Sequence, residues 1–560
     1  MSEQVILGKR SPEPDTASSP AKRLRTSQSP SAPDTSAPAS IPHEPSSNVH
    51  VEEDAGKPTK ETKGGKKRSI RTRRWDGEKP KGGKRERNGS RNAEAVAVTT
   101  SGEGVAEKDG ADKAPRLPKR QCALLMGFCG SGYNGMQIQT AGTGVRTIEN
   151  TLFDALVRAG AVSQDNSDNP TKINLGRAAR TDAGVHAAGN VVSAKVITAI
   201  PDKPDFVAAV NAELPPEIRI WGCVRVQNSF SARTLCDSRK YTYYFPSYLL
   251  IPPKPGSGLH ETSALADRPM HPFWEGHSPD STPVEDLTRK RAWRATPEDM
   301  DRLRAAATHF EGTHNFHNFT VARDFNDRAC QRFMKTIEVG DPAVYGDRDT
   351  EWIAVMLHGS SFMLHQRKMI AALILSVRTQ TPTQLIDELY GPRRVFVPKM
   401  PSLGLLLESP VFESYNKRMS TVSANLTPED PAFRAPIDFD VHKDQIEAFK
   451  QAHIYERMRD IEQRGGLFDA WVRSVDKYTG NDLSYLNARG VIPDRAALPP
   501  KGQARQNPFR EKRKFDLTDY SAAQLSEVMR ENEDDGAEGQ DEEEVEAEKM
   551  SKKELADMEG

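Results

Sequence analysis

Apolar residues recur at strand and helix periods only between about Arg116 and Asp494, so any packed core must be drawn from that stretch. Residues 1–117 are rich in Ser, Pro, Gly, Lys and Arg and nearly devoid of aromatics. They cannot bury enough apolar surface to offset their ordering entropy and read as a disordered basic arm. Residues 495–560 read as a mostly disordered acidic tail. The net charge of −1 hides this polarity, because Lys57 to Arg91 holds 15 Lys/Arg against 4 Asp/Glu while Glu531 to Glu548 holds 11 Asp/Glu and no base. Such asymmetry accompanies nucleic-acid partners. Two basic clusters, Lys22–Arg25 and Lys66–Arg74, predict nuclear import, with the import machinery as partner and the nucleus as location, together with non-specific phosphate contact. The scattered Cys122, Cys129, Cys223, Cys236 and Cys330 suit a reducing compartment and form neither a zinc ribbon nor a disulfide framework. No stretch approaches the roughly 20 apolar residues needed to span a bilayer, and Met1–Arg10 lacks a signal core.

Within the periodic stretch, Gln121–Phe128 reads as a buried strand. Thr147 caps a helix that carries Ile148, Leu152, Phe153, Leu156 and Val157 and stops at Gly160. Strands are expected at Asn190–Val196, Ile218–Val226 and Arg239–Phe245, with a short helix at Pro204–Leu214. Leu250–Arg294 has little periodicity and reads as an inserted loop. Thr296-Pro297-Glu298-Asp299 then opens a helix, followed by a strand at Glu351–Leu357 and an apolar helix at Phe362–Val377. Alternation on both sides of the insert predicts an α/β (α+β) protein. Its expected parts are an N-terminal half at 118–249, the insert at 250–295, a C-terminal half at 296–415 and a helical extension at 416–494.

Three motifs could carry chemistry. Gly130-Ser131-Gly132-Tyr133-Asn134-Gly135 follows a strand and fits the dinucleotide-binding pattern. That pattern needs a helix opening at the glycines, whereas here the helix waits until Thr147, so a dinucleotide role is rejected. His309, His314 and His317 cluster in sequence without a completing Cys or carboxylate, and a loop lining a cleft is favoured over a metal site. Gly176 to Asn190 packs Arg177, Arg180, Asp182, Gly184 and His186 into one loop. An Arg two residues from an Asp holds the carboxylate ionised. On composition alone, a turn with a local ion pair and a catalytic loop are equally favoured.

The segment Arg180-Thr181-Asp182-Ala183-Gly184-Val185-His186 resembles the catalytic loop of the TruA-type tRNA pseudouridine synthases. Tyr133–Gln139, Asn211–Pro215, Phe230–Arg233, Arg239–Tyr243, Gly312–Phe319, Ser361–Gln366 and Leu403–Leu407 agree in the family's order. The resemblance covers about Leu117 to Tyr415. The insert and the extension after Tyr415 are similar to the eukaryotic multisite-specific branch. It implies two ferredoxin-like halves forming a mixed sheet with a central RNA-binding cleft. It also implies an isomerase that converts uridine to pseudouridine in tRNA, with snRNA and mRNA left open, working as a monomer without a required cofactor or structural metal. A catalytically impaired RNA-binding scaffold or tRNA chaperone of the same fold is the alternative. By resemblance, Asp182 is the catalytic carboxylate, Tyr241 stacks on the base and is a candidate to deprotonate C5, and Arg367 pairs with Asp182. Arg180 takes the place of the flipped nucleotide, and Arg177, His186, Arg233, Lys240 and His365 contact RNA. The chain departs from the pattern at one point: Gln366 is followed directly by Arg367, where the family has an aliphatic residue between. Losing one residue turns a helix by about 100°, so either the preceding loop absorbs the shift or the Asp182–Arg367 pairing weakens.

Overall fold

The computed structural model describes residues 117–529 except 140–144, 264, 266–267, 279, 346–348, 501–502, 504, 512 and 519. The basic clusters and the acidic run lie outside the described residues. Strand β1 (Lys119–Phe128) is buried without a break from Gln121 onward, as befits an inner strand covered on both faces. Helix α1 (Ile148–Ala159) starts where Thr147 Oγ1 accepts the Asn150 amide and ends at a left-handed Gly160, φ 88°. The chain continues through β2 (Gly176–Arg177), β3 (His186–Ile197), α2 (Phe206–Asn211), β4 (Ile218–Arg225) and β5 (Ser238–Pro246). After the insert come α5 (Pro297–Thr308), β6 (Gly312–Asn315), β7 (Gln331–Val339), β8 (Ala343–Val344), β9 (Glu351–Gly359), α6 (Lys368–Arg378), α7 (Leu385–Glu388) and β10 (Leu405–Val411). The insert itself holds α3 (Gly258–Thr262) and α4 (Pro283–Ala292).

The strands form one mixed sheet in the order β4-β1-β3-β10-β5-β9-β7-β6, with β2 on β3 and β8 on β9. Two crossovers repeat in it. β3 and β4 both run antiparallel to the β1 between them and are joined by α2. β9 and β10 flank β5 in the same way and are joined by α6. Each half therefore contains a split βαβ unit, and β5 belongs to the second one rather than to the N-terminal half expected at 118–249. The halves meet where β10 runs parallel to β3 at Leu406↔His186 and Leu407↔Ala187. Asp182 lies just before that seam. Every residue of α6 is buried, in keeping with a helix apolar on nearly all sides. It opens at Lys368 rather than Phe362, because Phe362–Arg367 is needed as a loop over the site.

The insert is less loose than its composition suggests. A Thr282–Glu285 capping box starts α4, Leu259, Trp274 and Leu287 are buried, and Lys290 pairs with Asp469 at 2.7 Å. Its helices are too short to print a period on the sequence. The extension supplies α8 (Glu413–Val422), α9 (Lys443–Phe449), a π-helical turn (Lys450–Tyr455), α10 (Glu456–Gly465) and α11 (Leu467–Asp476). Order was expected to fade near Asp494, yet Phe509, Phe515, Tyr520, Leu525 and Val528 are all buried, and α12 (Ala522–Met529) packs on α10 and α11. These apolar residues are spaced too widely for a periodic signal and depend on surfaces built earlier in the chain.

The extension is locked to the second half by a buried fork. Arg378 of α6 donates both terminal nitrogens to Asp476 of α11, one of them at 3.0 Å, and its Nε to the Ile251 carbonyl. Truncating one partner strands the other charge, so Asp476→Ala is expected to cost about 3–5 kcal/mol, read as a lowered urea midpoint.

Candidate active site

The loop bearing Asp182 is held at both ends by backbone-directed contacts. Asn190 Oδ1 accepts the Ala179 amide at 3.2 Å while its Nδ2 donates to the Ala179 carbonyl at 3.0 Å. On the other side the Met136 amide donates to the Thr181 carbonyl, and the Gly184 amide to the Tyr133 carbonyl. The glycine loop is thus the bed on which the Asp182 loop lies. A Cβ on Gly130 would sit 2.1 Å from the Val185 carbonyl oxygen, and one on Gly135 (φ 85°) would sit 2.9 Å from the Thr181 carbonyl oxygen. Close backbone approach accounts for these glycines without any pyrophosphate.

Arg239, one position pair before Tyr241 on the same face of β5, is 3% exposed. Its Nε and Nη2 donate to the Ala178 carbonyl at 3.1 and 2.6 Å, and Nη1 to the Ser360 carbonyl at 3.4 Å. One guanidinium therefore clasps the Asp182 loop of the first half and the Phe362 loop of the second. No role was foreseen for it, although strand alternation places it beside Tyr241.

Between the two loops opens a pocket lined by Arg180, Asp182, Val185, Tyr241, Leu357, Phe362, Leu364, His365, Arg367 and Leu405, among others. Asp182 is 30% exposed at its side chain, whereas Arg367 beside it is 2% exposed and reaches Asp182 Oδ2 at 3.6 Å. His365 takes a left-handed φ of 58°, the Met363 amide donates to Gln366 Oε1, and Arg367 ends up just ahead of α6. Tyr241 is 8% exposed and packs edge-on against Phe362, with ring centroids 4.7 Å apart. Burial pushes its phenol well above the usual range, with the Asp182 charge adding to the effect and Arg239 opposing it.

The residues expected at RNA separate into two sets. Arg180 lines the pocket, Lys240 is exposed on the outer face of β5, and Arg233 is half-buried. His365 lies 4.0 Å from Asp182, but burial and the nearby Lys399, Arg367 and Lys368 hold it far below the usual histidine value, so it meets a ligand as a neutral ring. His186 is a correction. It is fully buried, with Nδ1 accepting the Gly130 amide at 3.1 Å, and burial lowers it to about 4. It braces the glycine loop and cannot reach RNA. Arg177 is likewise spent inward, with Nε 2.5 Å from the fully buried Glu149. The three histidines of the other cluster diverge: His309 bonds Asp387, His314 stacks on Tyr390 and His317 packs on Phe325. Among the described residues no group of His, Cys, Asp and Glu could hold a metal ion.

The mixed sheet of two α/β halves thus closes on one aspartate backed by a buried arginine. The tRNA pseudouridine synthase family pattern matches residues 306–413. A tRNA pseudouridine synthase 1 of Candida glabrata is 39% identical over 412 residues, 65% of this chain and 72% of that protein. The Schizosaccharomyces pombe protein of the same name is 34% identical and is covered over 87% of its length by 67% of this chain. A tRNA pseudouridine(27/28) synthase of Saccharomyces cerevisiae is 35% identical, with 55% of this chain and 88% of that protein aligned. The chain belongs to the tRNA pseudouridine synthase family, TruA-type isomerases.

Two outcomes follow from the glycine loop. Gly130→Ala must push Val185 and hence Asp182 aside, and pseudouridine formation is expected to fall about 100-fold in single-turnover assays. The His186 ring is neutral when folded but titrates near 6.5 when unfolded. Between about 6.5 and 4 the unfolded chain binds the extra proton, so stability is lost as pH falls through that window. His186→Asn, whose amide oxygen can still accept from Gly130, is expected to flatten that part of the denaturation midpoint against pH.

Proposed function

We propose that the chain converts uridines of tRNA to pseudouridine with Asp182 as the catalytic carboxylate. The observation that carries this is a partly exposed carboxylate at an aromatic-walled pocket, with a buried guanidinium at 3.6 Å to keep it ionised. In the reaction the C1′–N1 bond breaks, the base turns, and C1′ bonds to C5. The C5 hydrogen leaves as a proton and N1 gains one. Both routes open to Asp182, attack at C1′ and removal of a ribose proton, need the ionised form. The change is redox-neutral and calls for no electron carrier.

A uridine inside folded RNA must be flipped to reach such a pocket. Tyr241 and Phe362 offer a face on which the base stacks, and Arg180 at the rim takes the place it vacates. The raised Tyr241 phenol stays protonated at neutral pH, which favours stacking and hydrogen-bond donation over deprotonation of C5. Stacking tolerates sequence, which supports several target sites and leaves snRNA and mRNA within reach as substrates. Nuclear import is proposed on Lys22–Arg25 and Lys66–Arg74, outside the described residues.

Tritium release from C5-labelled uridine in tRNA tests the assignment. Asp182→Ala is expected to lower it more than about 1,000-fold while tRNA affinity at fixed salt stays within about 3-fold. Release by the variant at the parent rate would remove Asp182 from the chemistry. A parent protein that binds tRNA but releases no tritium would be a scaffold of this fold.

A further inference from the structure

Phe515 to Thr518, beyond the helical extension, lie at the inner side of the catalytic pocket. Asp516 is the pivot of this strap. Its Oδ1 lies 2.7 Å from Arg367 Nη2 and accepts the Ser402 amide at 3.2 Å, and its Oδ2 lies 2.8 Å from Lys399 Nζ. Two residues on, the Thr518 carbonyl accepts the Gly132 amide, and the Leu517 carbonyl lies 3.3 Å from where a Cβ on Gly184 would stand. The strap touches the glycine loop, the Asp182 loop, the turn before α6 and the approach to β10. Buried Phe515 and Tyr520 pin it on both sides of Asp516.

Arg367 therefore faces two carboxylates. It makes a short contact with Asp516 at 2.7 Å and a longer one with Asp182 at 3.6 Å. Asp516 is 15% exposed at its side chain against 30% for Asp182, so the deeper acid is fixed and the shallower one faces the pocket. A guanidinium presents several donors in a rigid fork, and anchoring one terminal nitrogen sets where the other points. On the reading of the site given above, we propose that Asp516 is a positioning residue for the isomerisation. It holds the Arg367 fork so that Nη1 faces Asp182 without closing on it, leaving the catalytic carboxylate ionised yet available to the ribose. Nothing in the catalytic-loop motifs carries this function, because the acid arrives from the far end of the extension.

The test uses the full chain and tRNA, with kcat and KM from tritium release and the thermal midpoint read on the same samples. All assays run well below the lowest midpoint, so every variant is folded when assayed. Asp516→Asn keeps the size and an acceptor for the Ser402 amide but gives up the charge that fixes Arg367. Its kcat is expected to fall on the order of 10–100-fold, with KM for tRNA within about 3-fold. Asn also takes from Lys399 the nearer of its two carboxylates, leaving Glu511 at 3.7 Å, so its midpoint falls. The double variant Asp516→Asn/Lys399→Met removes the ammonium that has lost its nearer carboxylate and is expected to regain part of the midpoint while kcat stays low. Return of kcat together with the midpoint would overturn the proposal, since the strap would then be structural cement, and so would parent-level kcat in Asp516→Asn. Asp182→Ala run alongside separates the two readings. If it is inactive while Asp516→Asn is fully active, only the positioning proposal falls, whereas an active Asp182→Ala removes the reading of the site on which the proposal rests.

Discussion

A single buried guanidinium sets the geometry on which the site depends. Arg239 stands on the central strand of the second half and gives two of its donors to a carbonyl in the first, Ala178 O, and one to Ser360 O in its own. A charged group this deep is tolerated only where its donors are satisfied. The carbonyls that satisfy it belong to the two loops whose separation defines the pocket. The seam between β3 and β10 brings the halves together over only two residue pairs, so alignment of the loops falls to contacts of this kind.

Charge around the pocket is arranged with depth. The arginine behind Asp182 and the lysine behind Asp516 are almost wholly covered, while the carboxylate between them and the cleft is not. The two histidines near the site are held neutral by burial, His186 as a brace beneath the glycines and His365 at the pocket wall. The fixed cations near Asp182 are thus Arg and Lys, whose charge does not vary across the physiological pH range.

Local signals carried much of this. Thr147 and Gly160 bound α1 as their types require, and the Asp182 loop, Tyr241 and Arg367 could be named from ordered motifs. Alternation about the insert suggests two halves, but the insert lies inside the second of them, after β5 and before β6. What could not be read off were relations between distant segments. Nothing near His186 in sequence says that its ring lies under Gly130, or that Arg177 meets Glu149 rather than a phosphate. The residue missing before Arg367 predicts a helix turned away from its partner. In the structure Arg367 nonetheless stands 3.6 Å from Asp182, in a turn where His365 is left-handed. Asp516 was invisible because it stands in a stretch with no periodic signal of its own and its partner lies 149 positions earlier.

That separation has a bearing on how the protein comes into being. A chain leaves the ribosome from its amino end, and domains fold in that order. The sheet, the glycine bed and the pocket walls are all in hand once β10 has emerged. The strap through Asp516 comes later, after the helical layer that carries it back. In a nascent chain caught between those two moments Arg367 still lacks its Asp516 contact. The last of these contacts around Arg367 is therefore made only once nearly the whole described chain has been translated.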